Sequence, residues 1–152
     1  MPSPNARLFV FLWSCAAAVA QPSSNGYLVG GAGTRDAKAI SEAALGGEWV
    51  IGKGVGLGGE VGAVLGHESF SFLSPNGSYH FMHQGRFDPF VTAGYTFGFS
   101  VFGGVGSAFN AGGGINFWVW RRLGLRTELR DIVLPGSASP NFWVFRGGLA
   151  FR

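Results

Sequence analysis

Residues 141–152 read Asn-Phe-Trp-Val-Phe-Arg-Gly-Gly-Leu-Ala-Phe-Arg, and their alternation decides the fold. Trp143, Phe145, Gly147, Leu149 and Phe151 share one parity. From Arg146 onward the other parity holds Arg146, Gly148, Ala150 and Arg152. Side chains of a β-strand point to opposite faces with a period of two. One face of this segment is therefore aromatic and apolar, and the other is small with charges. A strand set between lipid and a polar lumen has this composition. A strand of a secreted sandwich can end the same way, so the inference depends on finding the pattern again upstream.

It recurs along the chain. Val55, Leu57, Val61, Ala63 and Leu65 oppose Gly56, Gly58, Glu60 and Gly62. Val91, Ala93, Tyr95, Phe97 and Phe99 oppose Thr92, Gly94, Thr96, Gly98 and Ser100. Phe109, Ala111, Ile115, Phe117 and Val119 oppose Asn110, Gly112, Gly114, Asn116 and Trp118. Leu123, Leu125, Thr127 and Leu129 oppose Gly124, Arg126, Glu128 and Arg130. Weaker versions span 27–34, 43–52 (with Glu48 opposite Trp49 and Ile51) and 73–81. In the last, Leu73, Tyr79 and Phe81 oppose Ser74, Asn76, Ser78 and His80, and Pro75 interrupts. Proline cannot donate to a ladder and is confined to edges and bulges, which makes this the least secure strand.

Polar or glycine-rich connections are expected at 35–41, 66–69, 103–107 and 135–140, and tight turns at 52–54, 83–86 and 121–122. This predicts an all-β chain of eight antiparallel strands in up-and-down order. Most strands run about nine to twelve residues, the length that crosses a bilayer at a tilt.

Eight such strands close in two ways. A soluble, lipocalin-like carrier turns its apolar face inward, and a membrane barrel turns it outward. Composition separates the two. Charged residues make up 12% of the chain, against about 25% in an ordinary soluble domain. The only lysines are Lys38 and Lys53, too few for a soluble exterior. The 27 glycines suit the cramped interior of a small barrel. The expectation is a transmembrane β-barrel with a lipid-facing belt of Val91, Tyr95, Phe97, Ile115, Phe117, Leu125, Leu129, Phe145 and Leu149. Its lumen then holds Glu48, Glu60, Arg126, Glu128, Arg130 and Arg146 as an ion-pair network, because an unpaired buried charge costs several kcal/mol.

The N-terminus supports the compartment. Arg7 precedes an apolar run over 8–20 that ends Ala18-Val19-Ala20, a small-x-small cleavage pattern. This reads as a signal peptide over 1–20, too short to be a spanning helix, with the barrel domain over 21–152. A lipoprotein reading at Cys15 is the weaker alternative, because Trp13 is bulky where lipidation wants a small residue and the apolar run continues past Cys15. Cleavage near Ala20 removes Cys15, the only cysteine, so the mature chain has no thiolate metal site and no disulfide. A net charge of +3, small and dispersed, gives no basic face for nucleic acid.

The Gly-Leu-Arg-Thr-Glu-Leu-Arg-Asp stretch over 124–131 and the closing segment over 145–152 resemble the outer membrane protein β-barrel domain family, the small OmpA-type and OmpX-type eight-stranded barrels of Gram-negative envelopes. Gly-Glu-x-Gly over 59–62 and Asn-Gly-Ser-Tyr-His-Phe over 76–81 fit the same picture. The likeness covers essentially the whole mature chain. It implies the outer membrane as location, outer-membrane lipid as surroundings, and recognition of the C-terminal strand by the barrel-assembly machinery. A monomer is expected. Arg152 departs from the terminal aromatic common in that family.

Catalysis has one candidate. His67-Glu68-Ser69 places a base, an acid and a hydroxyl in sequence, as a lipid-modifying hydrolase would need them in space. The trio is consecutive in a connection, and a solvated loop explains it. His80 reads as a hydrogen-bonding lumen residue, and His83 as a turn residue. The glycines near 103–107 and 112–114 lack the Lys-Ser/Thr ending of a phosphate loop. No cofactor and no metal are expected. Eight strands enclose an interior just wide enough for side chains to fill, so a nutrient pore is not expected either. The reading favours a non-enzymatic barrel with a structural or surface-interaction role and a plugged lumen. A small lipid-modifying hydrolase and a soluble carrier are the alternatives.

Overall fold

The computed structural model describes residues 24–35, 37–66, 69–83, 85–100, 104–136 and 141–152. The predicted signal segment with Cys15, and His67, Glu68 and Ser137, lie outside the described residues. The strands are β1 (Ser24–Arg35), β2 (Lys38–Gly52), β3 (Val55–Leu65), β4 (Phe70–His80), β5 (Phe87–Ser100), β6 (Gly104–Trp118), β7 (Leu123–Val133) and β8 (Asn141–Phe151). Each pairs antiparallel with its sequence neighbour, and β8 returns to β1, with Leu28 opposite Leu149. The barrel is closed, so no strand edge is left to pair with another chain. The expected eight-stranded up-and-down order is the one found.

Local chemistry fixes the hairpins. Between β2 and β3, Lys53 (φ 48°) and Gly54 (φ 86°) both adopt positive φ, the conformation of the tight hairpin turns whose twist matches that of the strands. Glycine is required at the second position, because a Cβ on Gly54 would run into the carbonyl oxygen of His80. β4 is continuous despite Pro75. Pro75 pairs with Gly59 on the β3 side. On the β5 side the ladder lapses between Leu73–Phe97 and Asn76–Gly94 without changing register. That lapse accommodates the donor that proline lacks. The Ser74 and Thr96 hydroxyls, 2.7 Å apart, span it instead.

The bounds of four expected connections are corrected. Residues 35–41 are largely strand: Arg35 pairs with Lys38, and Ala37 makes the turn at φ 60°. β6 begins at Gly104, paired to Ser100, so most of 103–107 is ladder. Phe81, Val119 and Trp120, expected in strands, fall in connections. Small and glycine residues carry no parity pattern, yet their backbone groups pair as well as any others. The expected contrast between longer connections at one rim and tight turns at the other is also absent. Positions 36–37 separate two strands at the first rim, whereas 81–86 do so at the second.

The surface is inverted relative to a soluble barrel. Trp49, Leu57, Val61, Leu125, Leu129, Phe145 and Leu149 are exposed. Inside, the filling is layered. Near the first rim Ile40, Val64, Phe72, Ile132, Phe142 and Val144 form an apolar layer, with Phe70 and Leu134 against it. Phe142 and Val144 share the parity of Arg146, so the charged face of β8 becomes apolar toward that rim. Below this layer lie the charges.

Candidate functional site

The buried charges come from strands spread around the barrel. Arg146 on β8 is directly opposite Glu128 on β7, and its neighbour on the other side is Gly31 of β1. Gly31 is also opposite Glu42 of β2. The missing side chain matters here. A Cβ at Gly31 would lie 3.1 Å from Arg146 Cγ and 2.6 Å from the Phe145 carbonyl oxygen. The arginine therefore crosses β1 over a glycine. It reaches Glu42 at 2.6 Å and Glu60 of β3 at 2.7 and 2.9 Å, and also donates to Glu128 at 3.0 Å.

Glu128 collects three guanidinium groups. Besides Arg146, Arg130 donates through Nε at 2.8 Å, and Arg126 through Nη2 at 3.1 Å. Arg130 also reaches Glu60 at 3.0 Å. Each of these six side chains is at most 4% exposed. Charged hydrogen bonds in such a buried site are short and strong, and a network in which carboxylates and guanidinium groups neutralise one another is the tolerable way to bury them.

Toward the second rim the network becomes mixed. The Arg126 guanidinium lies between two rings, 4.1 Å from the Tyr27 centroid and 3.9 Å from that of Phe90. It donates to Asn116 at 3.3 Å and approaches Glu48 at 3.8 Å. Glu48 accepts from Ser78 at 2.6 Å. His80 bridges two carboxylates: Nδ1 is 2.8 Å from Asp88 Oδ2, and Nε2 is 3.1 Å from Glu48 Oε2. Asn116 adds a bond to Asp88 at 3.3 Å. At the mouth, Arg152 stacks 4.0 Å over buried Trp118 and donates to the carbonyls of His83 and Gly85, across the opening from its own strand.

Glu48, Glu60, Arg126, Glu128, Arg130 and Arg146 are thus brought into one connected set. Of the proposed belt, Val91, Phe97, Phe117, Leu125, Leu129, Phe145 and Leu149 are exposed on the exterior. Tyr95 and Ile115 are half-buried among neighbours, the Tyr95 ring 5.0 Å from Phe97 and 4.9 Å from Phe109. Sequence reasoning missed Glu42, Asp88 and the two rings that clamp Arg126. Glu42 fell just outside the expected second strand. The parity of that strand, extended back from Glu48, would have found it.

Two further observations concern the described residues alone. No cluster of His, Cys, Asp or Glu among them is arranged to hold a metal ion. Ser69 keeps its hydroxyl 3.5 Å from the carbonyl of Gly66, whose N–H lies 3.4 Å from the same oxygen, within one short connection.

No protein-family description matches the chain, and no curated protein is similar to it in sequence. Solved structures are similar in fold. The N-terminal β-barrel domain of Pseudomonas aeruginosa OprF superposes with a TM-score of 0.62 at 16% identity, covering 85% of this chain and 96% of that one. Neisserial surface protein A gives 0.68 at 8% identity, covering 84% and 94%. A de novo designed transmembrane β-barrel gives 0.61 at 22% identity, covering 86% and 96%. With these neighbours, an apolar exterior and a charged, filled interior, the chain has the fold of the small eight-stranded transmembrane β-barrels of outer membranes.

Proposed function

We propose that the protein is an integral outer-membrane β-barrel with a sealed interior, a non-enzymatic scaffold that acts through its rims and its lipid-facing surface. The observation that carries this reading is the filling of the lumen. Arg126, Arg130 and Arg146 engage Glu42, Glu60 and Glu128 across the barrel at 2.6–3.1 Å. The apolar layer near the first rim supports it further, since an ion path through that layer would have to cross hydrocarbon side chains. A soluble carrier is disfavoured, because its apolar face would line a cavity, and here Leu57, Val61, Leu125 and Phe145 point outward.

The remaining assignments belong to the same proposal. The exposed belt contacts outer-membrane lipid, and the protein works as a monomer after signal cleavage near Ala20. The barrel-assembly machinery reads β8. The first strand enters from the periplasm, and an even number of strands then puts both ends of the barrel domain on that side. The connections at 53–54, 81–86 and 119–122 become the periplasmic ones. A serine needs a positioned base to become a nucleophile; the candidate base His67 lies outside the described residues, and the turn bonding of Ser69 to Gly66 favours a structural role for its hydroxyl.

Fractionation with heat-modifiable gel migration tests this reading. The protein should partition with the outer membrane and migrate differently when left unboiled. Recovery in the soluble periplasmic fraction overturns the proposal. For orientation, an epitope inserted after Ser137 should bind antibody on intact cells, and labelling only after permeabilisation would reverse the topology.

A further inference from the structure

The described charges are sorted by place. Glu42, Glu48, Glu60, Asp88 and Glu128 are buried in the lumen, and Asp131 lies at the far end of β7, near the first rim. The second rim carries exposed Lys53, Arg86, Arg121 and Arg122, none of which makes an ion pair among the described residues. Three of these cations are held close together by the backbone. Trp118 N–H donates to the Arg86 carbonyl at 2.7 Å, Trp120 N–H to that of Leu123 at 2.9 Å, and Arg152 N–H to that of Arg122 at 3.1 Å. Immediately beside them, Phe87, Phe117 and Trp120 are exposed, the last at 66%. Aromatic side chains of this kind settle at the boundary between hydrocarbon and headgroups.

We propose that the second rim is a binding collar for anionic phospholipid headgroups, in which Arg86, Arg121 and Arg122 grip the phosphates of lipids whose acyl chains lie along the adjacent aromatic exterior. The inference rests on the barrel being membrane-embedded and goes beyond its proposed scaffold role. Two features commit the site to lipid. A guanidinium fork matches phosphate oxygens in pairs, which accounts for the cations. The aromatic band continuous with them accounts for a ligand that is apolar at one end and anionic at the other, and a free anion uses only the first feature. Clustered basic residues at a membrane surface attract anionic lipid in an additive and salt-sensitive way.

The test is made on the folded barrel in nanodiscs containing equal amounts of phosphatidylglycerol and phosphatidylcholine, with retained lipids counted by native mass spectrometry. The parent should retain phosphatidylglycerol in excess. Arg86→Gln, Arg121→Gln and Arg122→Gln should each lower that excess by up to roughly fivefold at low salt, and the triple variant should bring the ratio to that of the disc. Heat-modifiable migration shows whether each variant is folded, which separates failure of the collar from failure of the membrane reading. If the triple variant does not fold, the parent's preference must still decline as sodium chloride is raised. A parent with no preference, a folded triple variant that keeps it, or a preference that salt leaves intact overturns the proposal. Displacement of the lipid by inorganic phosphate assigns the collar to a soluble anion and overturns it too.

Discussion

Replacing Arg146 with methionine removes the most connected cation of the lumen while keeping most of its volume. Four bonds go at once: to Glu42 at 2.6 Å, to Glu60 at 2.7 and 2.9 Å, and to Glu128 at 3.0 Å. At about 1.5–3 kcal/mol for a hydrogen bond to a charged group, a simple sum overshoots, because Glu60 and Glu128 keep Arg130 at 3.0 and 2.7 Å. Glu42 fares worst. Its one ion pair among the described residues is with Arg146, and it stays buried at 4% exposure. Stranding one partner of a buried pair costs about 3–5 kcal/mol, and that is the expected loss for Arg146→Met. Urea unfolding from lipid vesicles, followed by tryptophan fluorescence and by gel migration, measures it. Adding Glu42→Gln and Glu60→Gln should recover a large part, since neutral replacement of a buried ion network is often close to neutral in energy. A loss below about 1 kcal/mol, typical of an exposed pair, would refute the picture of a buried network centred on Arg146.

Four further outcomes follow from other parts of the barrel. Leu125→Arg, on an exposed exterior position beside Leu149, should cost roughly 2–4 kcal/mol in lipid if it lies near the midplane. Equal folding of variant and parent in vesicles would mean that the faces are misassigned. Glu128→Ala strips a shared acceptor from Arg126, Arg130 and Arg146 and should destabilise by about 3–5 kcal/mol in the same urea assay. Gly31→Ala should cost about 1–3 kcal/mol by overpacking, because its Cβ meets backbone at 2.6 Å, whereas Gly106→Ala meets nothing within 4 Å and should be silent. A silent Gly31→Ala would show that Arg146 does not cross β1 there. His80→Phe leaves Asp88 and Glu48 without the ring that bridges them at 2.8 and 3.1 Å. Its urea midpoint should fall well below that of the parent, and an unchanged midpoint would argue against the bridge.

The strand order was legible because the alternation is strongest in mid-strand, where lipid and lumen impose opposite demands on neighbouring residues. The strands expected over 55–66 and 123–131 are found at Val55–Leu65 and Leu123–Val133 for that reason. Strand ends were not legible. Lys38 and Gly104 are ladder residues by virtue of backbone pairing with Arg35 and Ser100, and nothing in their side chains announces it. The lumen was half legible. Parity places Arg126, Glu128 and Arg130 on one face, but which acid meets which base depends on register and on distances across the barrel. Arg146 and Glu42 are 104 positions apart and meet because Gly31 lies between them. The apolar layer under the first rim escaped the reading because Ile132, Phe142 and Val144 occupy the same parity as the charges. A two-state alternation has no way to record a change of solvent along a single face.

Single-channel recording in a planar bilayer tests the proposed seal of the lumen most directly. Folded protein, verified by its gel migration, should add no conductance above that of the bare membrane if the Arg146–Glu60–Arg130–Glu128 ion pairs and the apolar layer around Phe142 close the lumen as proposed. Stable, ohmic steps from the parent protein would contradict the account at its centre.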